Sequence, residues 1–227
     1  MKVHDIDFLL DSSRMLTCGE DRKFKVWDPA SAWGNTYESS DLGQTVWSCA
    51  YAYDGYVGVG LNSGEVRVYD SEFSSYTSYT PGSAGIPYGL DFKYGTHTFI
   101  LGSGNTKGYT SESTSDIIDT QGIIYVAKYA RSAKFFIFSG ADFKVHLFNS
   151  SNVEVDFFPY GGKPLFCGDF SNFGDNGCVF AVGSGSGRVY VYKSEGEGNC
   201  MVNENKKSKS NNGIKKITAS GNYVRVG

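Results

Sequence analysis

Apolar and polar residues alternate along most of this chain in short strips separated by turn-forming clusters. In "KFKVWD", Phe24, Val26 and Asp28 fall on one face and Lys25 and Trp27 on the other, the period of two that marks a strand. The hexapeptide "VWSCAY", starting at Val46, returns as "VHDIDF" from Val3, "PYGLDF" from Pro87, "IYVAKY" from Ile124 and "LFCGDF" from Leu165. Each copy opens on an apolar residue or proline and closes on an aromatic. A second extended segment ending near a glycine follows every copy: "RMLTCG", "YVGVG", "TFILGSG", "FFIFSG" and "CVFAVG". After a short polar turn comes a third: "KFKVWD", "EVRVYD", "TKGYT", "FKVHLFN" and "RVYVYK". Its aromatics are Trp27, Tyr69, Tyr109, Phe148 and Tyr192, spaced roughly forty residues apart.

A repeat of that length holds three clear strands and a polar segment that can supply a fourth. One such sheet cannot bury both of its faces. Copies stacked around an axis can, and they leave only short edges. The expected fold is therefore all-β: a β-propeller of four-stranded antiparallel blades, with five clear repeats plus a partial sixth in one domain spanning 1–227. The partial copy is "IKKITASGNYVRVG" (214–227), in which "YVRVG" echoes "YVGVG". Five and a half repeats close a ring awkwardly. The expectation is a truncated terminus, completion by another segment or a partner-supplied strand, or a different register in the last blade. Between the fifth and sixth copies, the polar, glycine-rich residues 193–213 read as a disordered loop.

The segments "CGEDRKFKVWD" (18–28) and "SGADFKVHLFN" (139–149) resemble the WD40 repeat family, and the likeness extends over most of the chain. In that family an aspartate in the tight turn stands six residues before the tryptophan, as Asp21 and Asp142 do here. Ser63, Ser103 and Ser186 take that place in the other copies. The Trp-Asp pair survives only at Trp27-Asp28, with Tyr69, Phe148 and Tyr192 as the corresponding rings. The family's Gly-His dipeptide occurs nowhere. These departures imply blades held more by apolar and aromatic stacking than by a buried hydrogen-bond network.

Composition supports the β reading and narrows the function. Aromatic residues make up 15% of the chain and glycine occurs 29 times, which favours strands and tight turns. A net charge of -3 offers no general attraction to nucleic acid, and runs such as "FFIF" are too short to span a bilayer. The five cysteines are odd in number and form no Cys-x-x-Cys pair, so core packing and a reducing compartment, cytoplasmic or nuclear, are expected. The three histidines, His4, His97 and His146, belong to no metal-binding or nucleophilic motif, and "GSGSGR" (183–188) precedes a strand as a turn does. No catalytic residue, metal or cofactor is expected. The repeated aspartates Asp7, Asp91 and Asp169 in the opening strands also weigh against nucleic acid, whose stacking platforms need a basic groove.

The resemblance implies that the opening strand lines a central channel and begins at its top face. The second hexapeptide positions, His4, Trp47, Tyr88, Tyr125 and Phe166, would then circle the channel mouth. They are candidate partner-binding residues, since exposed aromatic rings concentrate binding energy; packing between blades is the alternative. The expected function is a non-catalytic scaffold that binds a protein or peptide segment on that face as a subunit of a larger complex. Blade two also looks locally like the substrate-recognition propellers of ubiquitin ligases. A propeller enzyme is the third reading, and clustered carboxylates or histidines in the channel would favour it.

Overall fold

The computed structural model describes residues 1–81, 85–112, 115–159, 162–170, 179–193 and 217–219. Strands alternate with tight turns throughout, and the described helix is a single 3-10 turn, Pro29–Ser31. Blade one contains β1 (Val3–Phe8), β2 (Met15–Gly19), β3 (Phe24–Asp28) and β4 (Gly34–Glu38). Blade two contains β5 (Val46–Tyr51), β6 (Val57–Leu61), β7 (Val66–Tyr69) and β8 (Tyr76–Tyr79). Blade three has β9 (Pro87–Phe92), β10 (Phe99–Ser103), β11 (Lys107–Thr110) and β12 (Asp116–Asp119). Blade four has β13 (Ile124–Tyr129), β14 (Phe135–Gly140), β15 (Lys144–Asn149) and β16 (Glu154–Pro159). Blade five has β17 (Leu165–Phe170), β18 (Val179–Ser184), β19 (Val189–Lys193) and β20 (Ile217–Ala219). Each is a four-stranded antiparallel sheet in sequence order, and the five make a propeller with the hexapeptides as its innermost strands.

Two registers differ from the repeat read in the sequence. Ile217 pairs with Val191, so residues assigned to a sixth copy instead supply the fourth strand of blade five. Three strands leave an edge that a fourth can cover, and the long stretch before 217 hid that role from the periodicity. In blade three, Phe99–Ser111 pairing aligns Ser111, not Tyr109, with Trp27, Tyr69 and Phe148. Asn105 there occupies the turn place expected for Ser103. The turn itself is uniform: Arg22, Gly64, Thr106, Phe143 and Gly187 all have positive φ, from 63° to 90°. A hairpin loop in which a tight turn is followed by one left-handed residue has this backbone, so one turn type recurs in five blades while its residues vary. The loop expected over 193–213 falls outside the described residues beyond Lys193.

The core lies between blades. The cluster joining blades one and two places Leu16, Cys18, Phe24 and Val26 against Tyr51, Val57, Val59 and Tyr69. Three further clusters repeat this between blades two and three, three and four, and four and five. Tyr69 and Phe148 are buried as expected, 6% and 2% exposed. Trp27 is only half-buried, because among the described residues no blade packs against the face of blade one that carries it; its Nε1–H donates to Thr17 Oγ1 at 2.9 Å. The side chain of Tyr192 lies outside the described residues. Cys18 and Cys49 are core residues, whereas Cys167 is exposed, contrary to the core role expected of it; Cys178 and Cys200 are outside the described residues.

Candidate partner-binding face

The aromatic second positions owe their placement to an irregularity that every innermost strand shares. Val3 pairs with Gly19 and Asp5 with Cys18, which leaves His4 without a partner across the ladder. The same shift passes over Trp47, Tyr125 and Phe166, and in blade three over Tyr88. An extra residue of this kind is a β-bulge, which re-aims a side chain out of strict alternation. Each ring is thereby turned from the blade interior toward its counterparts.

The rings form one continuous arc across five blades. His4 stacks on Trp47 with centroids 4.2 Å apart, and Trp47 meets Tyr88 edge-on at 5.3 Å. Tyr88 contacts Tyr125 at 5.5 Å, and Tyr125 contacts Phe166 at 5.1 Å. Such tilted and edge-to-face pairs are the favoured aromatic geometries. Phe166 is 54% exposed and the other four are half-buried. Tyr125 also packs against the cluster between blades four and five, so the packing alternative holds for part of that ring. In blades two, three and five the residue just after the second strand supports the arc. Asn62 Oδ1 accepts from Trp47 Nε1 at 3.0 Å. Glycine at the equivalent places leaves room: a Cβ on Gly104 or Gly185 would lie 3.2 Å or 2.9 Å from the ring of Tyr88 or Phe166. The buried Nε2 of His4 has no hydrogen-bond partner.

The channel below holds a second group, in which Lys128 joins the repeated aspartates of the opening strands. Asp7, Asp91, Lys128 and Asp169 line a cavity of about 160 Å³ together with Phe8, Tyr53 and Tyr94. Fifth place in four hexapeptides is thus ionisable. The carboxylates also join blades: Asp7 Oδ2 accepts from Tyr51 N–H at 2.7 Å, Asp5 Oδ2 from Cys49 N–H at 3.0 Å and Asp91 Oδ2 from Tyr129 N–H at 2.7 Å. Lys128 Nζ stands 3.8 Å from Asp91 Oδ1. Burial pushes the Asp91 carboxyl up to about 7 and that of Asp5 up to about 6, against the opposing charge of Lys128. Burial disfavours the Lys128 ammonium, but the surrounding aspartates outweigh it and hold the pKa above its usual value. Each of these aspartates except Asp169 therefore has a structural task across a blade boundary.

Tight turns of the WD40 kind appear in two forms. Lys25 Nζ pairs with Asp21 Oδ2 at 2.8 Å, and His146 Nε2 with Asp142 Oδ2 at 2.7 Å. In both, a cationic or ionisable residue of the third strand reaches back to the turn aspartate, a partnership not anticipated from the missing Gly-His dipeptide. Asp28 caps the following 3-10 turn, accepting from Ala30 N–H at 2.7 Å. Among the described residues no group of three or more His, Cys, Asp or Glu is placed to hold a metal ion, and no helix is long and apolar enough to cross a membrane.

Comparison with known proteins gives a match to the family described as WD domain, G-beta repeat, over residues 1–28. That segment is the first three strands of blade one and ends on the Trp27-Asp28 pair. No curated protein matches the chain. The repeat match in blade one and the five blades built on its plan support a WD40-repeat β-propeller, a fold that generally mediates protein–protein interaction.

Proposed function

We propose that this protein is a non-catalytic scaffold that docks a protein or peptide segment on the face bearing His4, Trp47, Tyr88, Tyr125 and Phe166, as a subunit of a larger complex. The observation that carries the reading is the arc of ring contacts from His4 to Phe166, built on a bulge in every blade. Rigid rings offer large contact area at small entropic cost. A substrate-recognition propeller of a ubiquitin ligase is one form this function can take, with the partner then a ligase substrate.

The carboxylates in the channel favour a second reading, a propeller enzyme acting through Asp91, Asp169 and Lys128. Of these, Asp91 holds the Tyr129 N–H and Lys128 stands beside Asp91, which accounts for both without chemistry, and the scaffold reading keeps precedence.

The test is affinity capture with mass spectrometry, followed by binding measurements on each identified partner with wild type and Trp47→Ala. Loss of about 2 kcal/mol or more in affinity, with an unchanged circular dichroism spectrum, is the expected result. Unaltered affinity for every partner places docking elsewhere, and unfolding of the variant makes Trp47 a packing residue.

A further inference from the structure

The cavity shared by Asp7, Asp91, Lys128 and Asp169 lies at the end of the channel away from the ring arc. The hexapeptide residues that line it begin at the fifth position, and no arc residue is among them. Its charge is one-sided. Asp91, Asp7, Asp169 and Asp5 all act on the Lys128 ammonium, four carboxylates to one cation. Arg131 lines the cavity too, but it is exposed, and Lys128 is the cation that opposes the burial of Asp5, Asp7 and Asp91. That opposition is incomplete, because burial still holds all three carboxyls above their ordinary range.

Tyr51 lines the same cavity. It is 7% exposed, and its buried hydroxyl has no hydrogen-bond partner. Buried polar atoms are ordinarily paired, so this one is an acceptor that the chain itself does not use. Each cavity carboxylate, moreover, has one oxygen engaged by a backbone N–H: Asp7 Oδ2 by Tyr51, Asp91 Oδ2 by Tyr129 and Asp169 Oδ1 by Phe170. None presents two unencumbered oxygens to the planar fork of a guanidinium. Single oxygens from three blades suit the three donors of a compact ammonium. The wall toward solvent is apolar: Phe8, Leu10, Tyr53 and Tyr94 are 49%, 42%, 46% and 47% exposed, and Tyr53 meets Tyr94 edge-on at 6.1 Å. Rings so placed pack against the methylenes of a long amine and attract its charge.

We propose that this end of the channel is a second binding site, one that takes a lysine side chain from a peptide segment with apolar neighbours. The ammonium sits among Asp7, Asp91 and Asp169, and the stem lies against Tyr53 and Tyr94. A free diamine carries the same charge but leaves Phe8 and Leu10 uncovered, so the exposed apolar wall selects a peptide. The site shares no residue with the arc, and either can fail without the other.

Isothermal titration calorimetry of the full chain with the peptide acetyl-Phe-Lys-Leu-amide, at physiological ionic strength, tests this. Saturable one-to-one binding is expected. The same peptide with arginine in place of lysine, and cadaverine as the free diamine, should each bind about tenfold more weakly or worse. The Nε-acetyllysine peptide should not bind. Asp169→Asn keeps an acceptor for the Phe170 N–H and should lower affinity about tenfold, with an unchanged circular dichroism spectrum. Arg131→Gln lifts a repulsion and should raise affinity, a direction that structural damage does not produce. Absence of saturable binding overturns the proposal. Equal affinity for the arginine peptide makes the site a general cation trap, and equal affinity for cadaverine makes a diamine the ligand; either result overturns it. So does an Asp169→Asn chain that folds and binds unchanged. Should Asp169→Asn fail to fold, Arg131→Gln decides, and affinity that does not rise overturns the assignment.

Discussion

The imidazole of His146 meets the carboxylate of Asp142, Nε2 to Oδ2, at 2.7 Å. Its other nitrogen, Nδ1, lies 2.5 Å from Glu154 Oε1, so one histidine links the tight turn, the third strand and the outer strand of blade four. Burial disfavours the imidazolium, but the two carboxylates outweigh it and raise the pKa above the usual 6.5.

The pH dependence follows. A histidine whose pKa is raised by folding contributes stability that is complete below the unfolded value of about 6.5, and lost as pH rises through the higher folded value. Melting temperatures of the wild type should therefore fall across that window more steeply than those of His146→Gln. Parallel profiles for the two proteins would show that the pair contributes no charge-dependent stability.

Asp91 should act in the same direction over a lower window. Its carboxyl titrates at about 7 in the folded chain against 3.8 ordinarily, so the folded state binds the proton more tightly. Its contribution is greatest in acid and declines as pH rises from about 4 to about 7. Asp91→Asn keeps an acceptor for the Tyr129 N–H and removes the titration. The variant's melting temperature should decline less between those limits than that of wild type, as thermal melts at a series of pH values will measure.

Burial of the third-strand ring sets its cost of removal. Phe148 is 2% exposed and stacks parallel to Phe136, centroids 5.1 Å apart. Phe148→Ala should destabilise by about 3–5 kcal/mol. Trp27→Ala removes a half-buried ring on the open face of blade one and should cost no more than about half as much. Urea unfolding at one pH compares them, and equal losses would mean that the face carrying Trp27 is covered in solution.

Strand phase and blade identity were legible in the sequence because both are local. Alternation along "KFKVWD" and the return of "VWSCAY" depend on side-chain period, which each segment specifies for itself. All five hexapeptides are innermost strands to the residue. Blade three was misaligned by two residues at Tyr109, where "GSGNTKGYT" lacks the apolar alternation that fixes register.

What each face meets is not local, and only the tertiary structure decided it. Five second-position residues form one arc because a bulge in each strand turns them out of the alternation, a two-against-one pairing that no single segment encodes. Asp7 and Asp91 read as like-charged strand residues until the next blade brings Tyr51 and Tyr129 N–H groups within 2.7 Å. Phe8 and Phe92 are the same residue type at the same repeat position, yet one is 49% and the other 6% exposed. Their own strands are alike; the difference is the neighbouring blade. Side-chain period belongs to the segment that carries it, whereas burial and hydrogen bonding across blades belong to the pair of surfaces brought together.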